Sequence, residues 1–154
     1  MRTGLQQLLI VALLAWVIPD AHGEGPGSEK MLLVTSTETM FERVSNEDLR
    51  KAFLAIPVSV DGKRMRPLLN ESEKFLTEVF LQKIIFMSRD RYERQLVARV
   101  FRQGGKRPSA FRDLDDLIAE LQASPNSVTY MWSSQFEAVE GLKELGTLWQ
   151  DKAR

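Results

Sequence analysis

The short apolar run Met31-Leu32-Leu33-Val34-Thr35 constrains the architecture most. It is too brief for a helix and is closed by a cluster of Ser and Thr residues, which predicts a strand. A second run, Ser127-Val128-Thr129-Tyr130-Met131-Trp132, is rich in β-branched and aromatic residues and predicts another strand. Between the two lie stretches whose apolar residues return at helical spacing. Strands alternating with helices predict an α/β layered domain, since each kind of element buries its apolar side against the other.

The helices announce their ends. Ser45 opens the first as a cap, with Asp48 in its first turn, and Pro57 predicts an end near Ile56. Asp61-Gly62-Lys63 is a turn signal, and residues 65–69 predict a short strand interrupted by Pro67. From about Ser72 a longer helix carries Phe75, Leu76, Val79, Phe80 and Ile84, with Leu81 and Ile85 widening its apolar cover. Ser88 caps a further helix in which Tyr92, Leu96, Val97, Val100 and Phe101 share one half of the wheel and Arg91, Arg94, Arg99 and Arg102 the other. Gly104-Gly105 stops it, and a basic loop follows. Asp113 caps a helix with Leu114, Leu117, Ile118 and Leu121 that stops before Pro125. A last amphipathic stretch carries Phe136, Val139 and Leu142 toward Leu148 and Trp149, and both Trp132 and Trp149 read as packing residues.

The chain opens with Met1-Arg2-Thr3, an apolar run over residues 8–18, and then Pro19, Ala21, His22 and Gly23. This is the order of a secretory signal, with cleavage expected after Gly23; an uncleaved N-terminal anchor is the alternative. The run is shorter than the ~20 apolar residues that cross a bilayer, so no stable membrane insertion is expected after cleavage. Residues 24–30, with Gly25, Pro26, Gly27 and Ser28, read as a flexible lead-in, and one domain is expected over residues 31–150. Removing residues 1–23 from the 154 leaves 131, about the size of one domain.

Composition then narrows the chemistry. The chain has no Cys, and its single His, His22, lies in the signal. The exported protein therefore has no material for a Ser-His-Asp triad, a Cys-His pair or a Cys/His zinc site. No spacing pairs carboxylates, Lys, Tyr or Ser convincingly in their place. A non-enzymatic protein without metal or cofactor is the expectation.

Several segments, in order, resemble the periplasmic phosphate-binding proteins, the substrate-binding proteins of phosphate ABC transporters, over about residues 32–132. Ser45-Asn46-Glu47-Asp48-Leu49-Arg50-Lys51-Ala52-Phe53-Leu54 is similar to that family's "LSxEELxxIFLG" helix. Asp61-Gly62 with Pro67 after it, Phe101-Arg102-Gln103-Gly104-Gly105-Lys106-Arg107-Pro108 against "FTGxGxxP", and Ser124-Pro125-Asn126-Ser127-Val128-Thr129-Tyr130 against "NPGAIGYV" continue the likeness. The resemblance implies a single lobe of a periplasmic binding protein-like fold, with a short mixed sheet flanked by helices. It also implies a periplasmic location and phosphate or another small oxyanion as ligand.

Family members hold the anion with hydroxyls and backbone N–H groups where a helix begins after the proline-containing strand, a position whose unpaired N–H groups suit negative charge. Here that position reads Asn70-Glu71-Ser72-Glu73-Lys74: Asn70 and Ser72 offer donors, whereas Glu71 and Glu73 oppose an anion. Ser36 and Thr37 follow the first strand, where open α/β sheets place ligands, and complete the candidate ligand set. The plainer alternatives are that Ser36 and Thr37 serve their own turn and that Asn70 or Ser72 caps the helix.

Charge is balanced overall, 21 basic against 21 acidic, but segregated: residues 86–112 hold eight Lys or Arg and two acids, and residues 113–154 eight acids and three bases. Arg91, Arg94, Arg99 and Arg102 are thus candidate partner-binding residues, and the second functional expectation is an envelope interaction or accessory module that keeps the fold but not the anion site. A solvated helix face balanced by its acidic neighbour is the plainer reading. Nucleic acid is not an expected partner, because no aromatic residues interleave the basic face and the chain is exported.

Overall fold

The computed structural model describes residues 29–151. The expected signal and residues 24–28 of the lead-in lie outside the described residues.

Five strands build a mixed sheet in the order β5-β4-β6-β1-β7. They are β1 (Lys30–Ser36), β4 (Arg66–Asn70), β5 (Ser109–Phe111), β6 (Ser127–Trp132) and β7 (Leu142–Gln150), while β2 (Ser59–Val60) and β3 (Lys63–Arg64) form a separate hairpin. β4 runs parallel to both β5 and β6, and β1 runs antiparallel to β6 and β7. Pro67 survives inside β4 because β5 pairs with it only from Leu68 onward, so the missing N–H takes no bond from that ladder.

Side chains alternate across the sheet, and each face meets its own helices. Met31, Leu33, Leu69, Val128, Tyr130 and Trp132 point to the side covered by α1 (Asn46–Phe53), α2 (Lys74–Phe80) and α3 (Arg89–Gln103). Leu32, Val34, Leu68 and Met131 point to the side covered by α4 (Leu114–Ala123) and α5 (Ser133–Glu137). The larger core centres on Phe80 and Tyr130, whose rings stack at 3.7 Å and 6°. This three-layer arrangement is the expected α/β class, with a short mixed sheet flanked by helices.

The caps fall where the sequence places them. Ser45, Ser88 and Asp113 each accept a hydrogen bond from the backbone N–H three residues on. Gly104 ends α3 with φ +68°, a backbone conformation that side chains disfavour.

Four expectations need correction. The helix expected from Ser72 begins at Lys74 with Glu73 as its cap, and its last turn, residues Leu81–Ile85, widens into a π-helix. The basic loop after α3 contains β5. The final amphipathic stretch is only briefly helical, and most of it is the nine-residue strand β7. On α3 only Tyr92 and Leu96 are buried, while Val97 is 56% exposed and Phe101 90%.

Candidate functional site

The strand directions divide the four candidate ligand residues between opposite ends of the sheet. β4 and β6 finish together at Asn70 and Trp132, where β1 begins, because Met31 pairs with Trp132. Ser36 and Thr37 leave β1 at the other end, beyond the pairing of Thr35 with Val128. At ~3.3 Å per residue, Ser36 lies about 13 Å from Asn70 along the strands, and one strand, β6, separates them. One ligand-sized pocket does not contain all four. The sequence placed Ser36 at a carboxyl strand end correctly, but β1 is antiparallel to its neighbour, so that end is the amino end of β4 and β6.

At their own end, Ser36 and Thr37 serve a turn. Ser36 Oγ accepts from the Glu38 N–H at 3.2 Å, and Thr37 donates to the Gly141 carbonyl through its N–H at 3.1 Å and its Oγ1 at 3.3 Å.

At the other end, the donors are engaged. Asn70 is fully buried, and its Nδ2 donates to the Tyr130 carbonyl at 3.0 Å. Its Oδ1 accepts from both the N–H and the Oγ of Ser72, at 3.1 and 2.6 Å. The two residues expected to reach an oxyanion therefore bond to each other and to the sheet. Between them, the Glu71 carboxylate lies 2.9 Å from Arg89 Nη1 and 3.9 Å from Arg112 Nε, with its side chain 18% exposed. Glu73 accepts from Trp132 Nε1 and Gln135 Nε2, both at 3.1 Å. Negative charge is thus already present at this end, supplied by the chain itself. Sequence reasoning missed the Glu71 partners: Arg89 and Arg112 lie in the basic segment, but only the approach of β5 and the start of α3 to β4 brings them together.

The basic face of α3 is different. Arg91, Arg94, Arg99 and Arg102 all line one shallow surface depression, together with Gln95, Ala98 and Gln103. Arg91, Arg94 and Arg102 are exposed and make no ion pair among the described residues. Arg99 donates to Gln103 at 3.0 Å along the same helix. Elsewhere on α3, Glu93 pairs with Arg107 and Arg89 with Glu71, so the cationic groups left over gather on this side. Such a surface attracts an acidic partner at a range set by the Debye length, about 8 Å at physiological salt.

No helix among the described residues is long and apolar enough to cross a membrane. No protein-family model matches the sequence, and no curated protein matches it. Solved structures do resemble the fold. One is a possible phosphate binding protein from Planctomyces limnophilus, with a TM-score of 0.53 and 14% identity over 77% of this chain. Another is PstS from Borrelia burgdorferi, with a TM-score of 0.53 and 16% identity over 77% of this chain. The matches cover 41% and 47% of those proteins, so this chain corresponds to less than half of each.

Proposed function

We propose that this chain is an exported, periplasmic, non-enzymatic binding protein that keeps one lobe of the phosphate-binding-protein fold and meets an acidic envelope partner through α3. The observation that carries this reading is the single depression lined by Arg91, Arg94, Arg99 and Arg102, three of them exposed and without an ion pair among the described residues. Export rests on the signal-like order of residues 1–23, and the absence of Cys and of His beyond His22 supports binding over catalysis. Charge reversal at Arg94, Arg99 and Arg102 is expected to remove the partner captured by in vivo crosslinking, and rising salt to weaken capture by the unaltered protein. An unchanged crosslinked set sinks the reading.

A second reading, binding of phosphate or another small oxyanion, has its own support. One structural neighbour is described as a possible phosphate binding protein, and Arg89 and Arg112 converge on a carboxylate beside Asn70 and Ser72, so this end of the sheet accommodates an anion. Ser36 and Thr37 take no part in it, being at the opposite end. In this reading Glu71 competes with the ligand, and Glu71→Gln releases both arginines. Calorimetry with millimolar phosphate or sulfate then shows heat, larger in Glu71→Gln than in the parent. No heat in either protein removes oxyanion binding while leaving the α3 reading intact.

A further inference from the structure

A second concavity, larger than the α3 depression and meeting it only at Gln103, lies away from Asn70 and Glu71. It is a groove of about 990 Å³ at the amino ends of β4 and β6, opposite the end where Asn70 and Glu71 sit. Its walls come from the end of α1, the β2–β3 hairpin, the loop after α3 and the turn before β6.

Three features define what fits there. Every charged side chain lining the groove is basic: Arg64, Arg66, Lys106 and Arg107. Arg66 and Arg107 are engaged with Glu120 and Glu93, which do not line it, whereas Arg64 and Lys106 are exposed and make no ion pair among the described residues. The second feature is an apolar wall formed by Ile56, Pro57 and Met65 from one side and Pro108 from the other. The third is Ser127, fully buried and lining the groove, whose Oγ has no hydrogen-bond partner. Buried hydroxyls are almost always paired, so an unpaired one beside an open groove marks a place for an incoming acceptor or donor.

Size separates this groove from a site for an inorganic anion. Pockets of ~300–1,000 Å³ suit organic ligands that bury most of their surface, and a lone phosphate would leave the apolar wall uncovered. We infer that the groove is a binding site for a small organic anion, a carboxylate or phosphate ester carried on an apolar body. Its charged end meets Arg64 and Lys106, its body covers Ile56, Pro57 and Met65, and a polar atom reaches Ser127 Oγ. The inference is independent of the α3 surface.

Calorimetry on the purified protein with octanoate, octyl phosphate, octylamine and inorganic phosphate tests it. Octanoate, octyl phosphate or both are expected to bind with Kd below ~1 mM; which of the two binds separates a carboxylate source from a phosphate ester. Octylamine and inorganic phosphate are expected at least about tenfold weaker. The double variant Arg64→Glu, Lys106→Glu changes only exposed side chains and weakens anion binding by about tenfold or more, and Ser127→Ala weakens it by about threefold. The inference is overturned if neither octyl anion binds. It is equally overturned if octylamine or inorganic phosphate binds as tightly as the octyl anions, or if the double variant binds them as well as the parent.

Discussion

Asn70 ties three elements together through one side chain and one carbonyl. Its amide reaches Tyr130 and Ser72, and its carbonyl accepts from Thr77 Oγ1 at 2.9 Å and from the Tyr130 hydroxyl at 3.0 Å. Removing the amide strands the Tyr130 carbonyl in a buried setting, where an unsatisfied polar group costs ~1–3 kcal/mol, and leaves the part-buried Ser72 donors without their acceptor. Asn70→Ala is therefore expected to lower unfolding stability by about 2–3 kcal/mol, and Ser72→Ala, which loses one bond near the surface, by about 1 kcal/mol. Urea unfolding measures both, and repeating it with millimolar phosphate separates structure from ligand binding: a loss that grows in phosphate, because the parent is stabilised and the variant is not, would return Asn70 to the ligand set. Part of this arrangement was readable in the sequence, since Asn followed two residues later by Ser is a local turn pattern. The bond to Tyr130 was not, because its partner lies 60 residues away.

Among the elements, those defined by local chemistry were the legible ones. Ser45, Ser88 and Asp113 open α1, α3 and α4 because a side-chain oxygen satisfies an N–H that the helix itself leaves free. Ser88→Ala is expected to cost about 1 kcal/mol. β7 was read as the end of an amphipathic stretch because Phe136, Val139 and Leu142 recur every third residue and lead to Leu148 and Trp149. In the strand the apolar residues are placed by another cause. Two register shifts against β1, between Met31 and Leu32 and between Leu33 and Val34, reset the alternation, so Leu142 joins one face and Leu145 and Leu148 the other. β5 has only three residues and exists because β4 offers a ladder, which no local pattern announces. On α3 the wheel gave the right half but not the depth of burial. Leu96→Ala, at a site with no exposure, is expected to cost ~2–5 kcal/mol. Phe101→Ser, at 90% exposure, is expected to change stability by less than about 0.5 kcal/mol. Thermal unfolding of the two variants checks the contrast, and a large loss in Phe101→Ser would mean that this ring is covered.

For the whole molecule, the layered class followed from alternating strands and helices, while the antiparallel placement of β1 did not, and it is this placement that divides the candidate ligand residues. The same layering puts two tyrosine hydroxyls inside the larger core: Tyr92 donates to the Phe53 carbonyl at 2.6 Å and Tyr130 to the Asn70 carbonyl. Burial, the largest cause for each, pushes both phenols well above the usual value of ~10. The unfolded chain then ionises its tyrosines at a lower pH than the folded chain does. Their contribution to stability is fully present below pH ~10 and is lost as pH rises from there toward the folded values, because only the unfolded state gains by releasing those protons. Urea unfolding is expected to show a stability falling steadily above pH ~10. Tyr92→Phe and Tyr130→Phe each remove one buried hydrogen bond and are expected to cost about 1 kcal/mol near neutrality. Each also removes one titrating group, so the alkaline decline becomes shallower in either variant and shallowest in the double variant. A decline equally steep in the double variant would refute the role given to the two buried phenols.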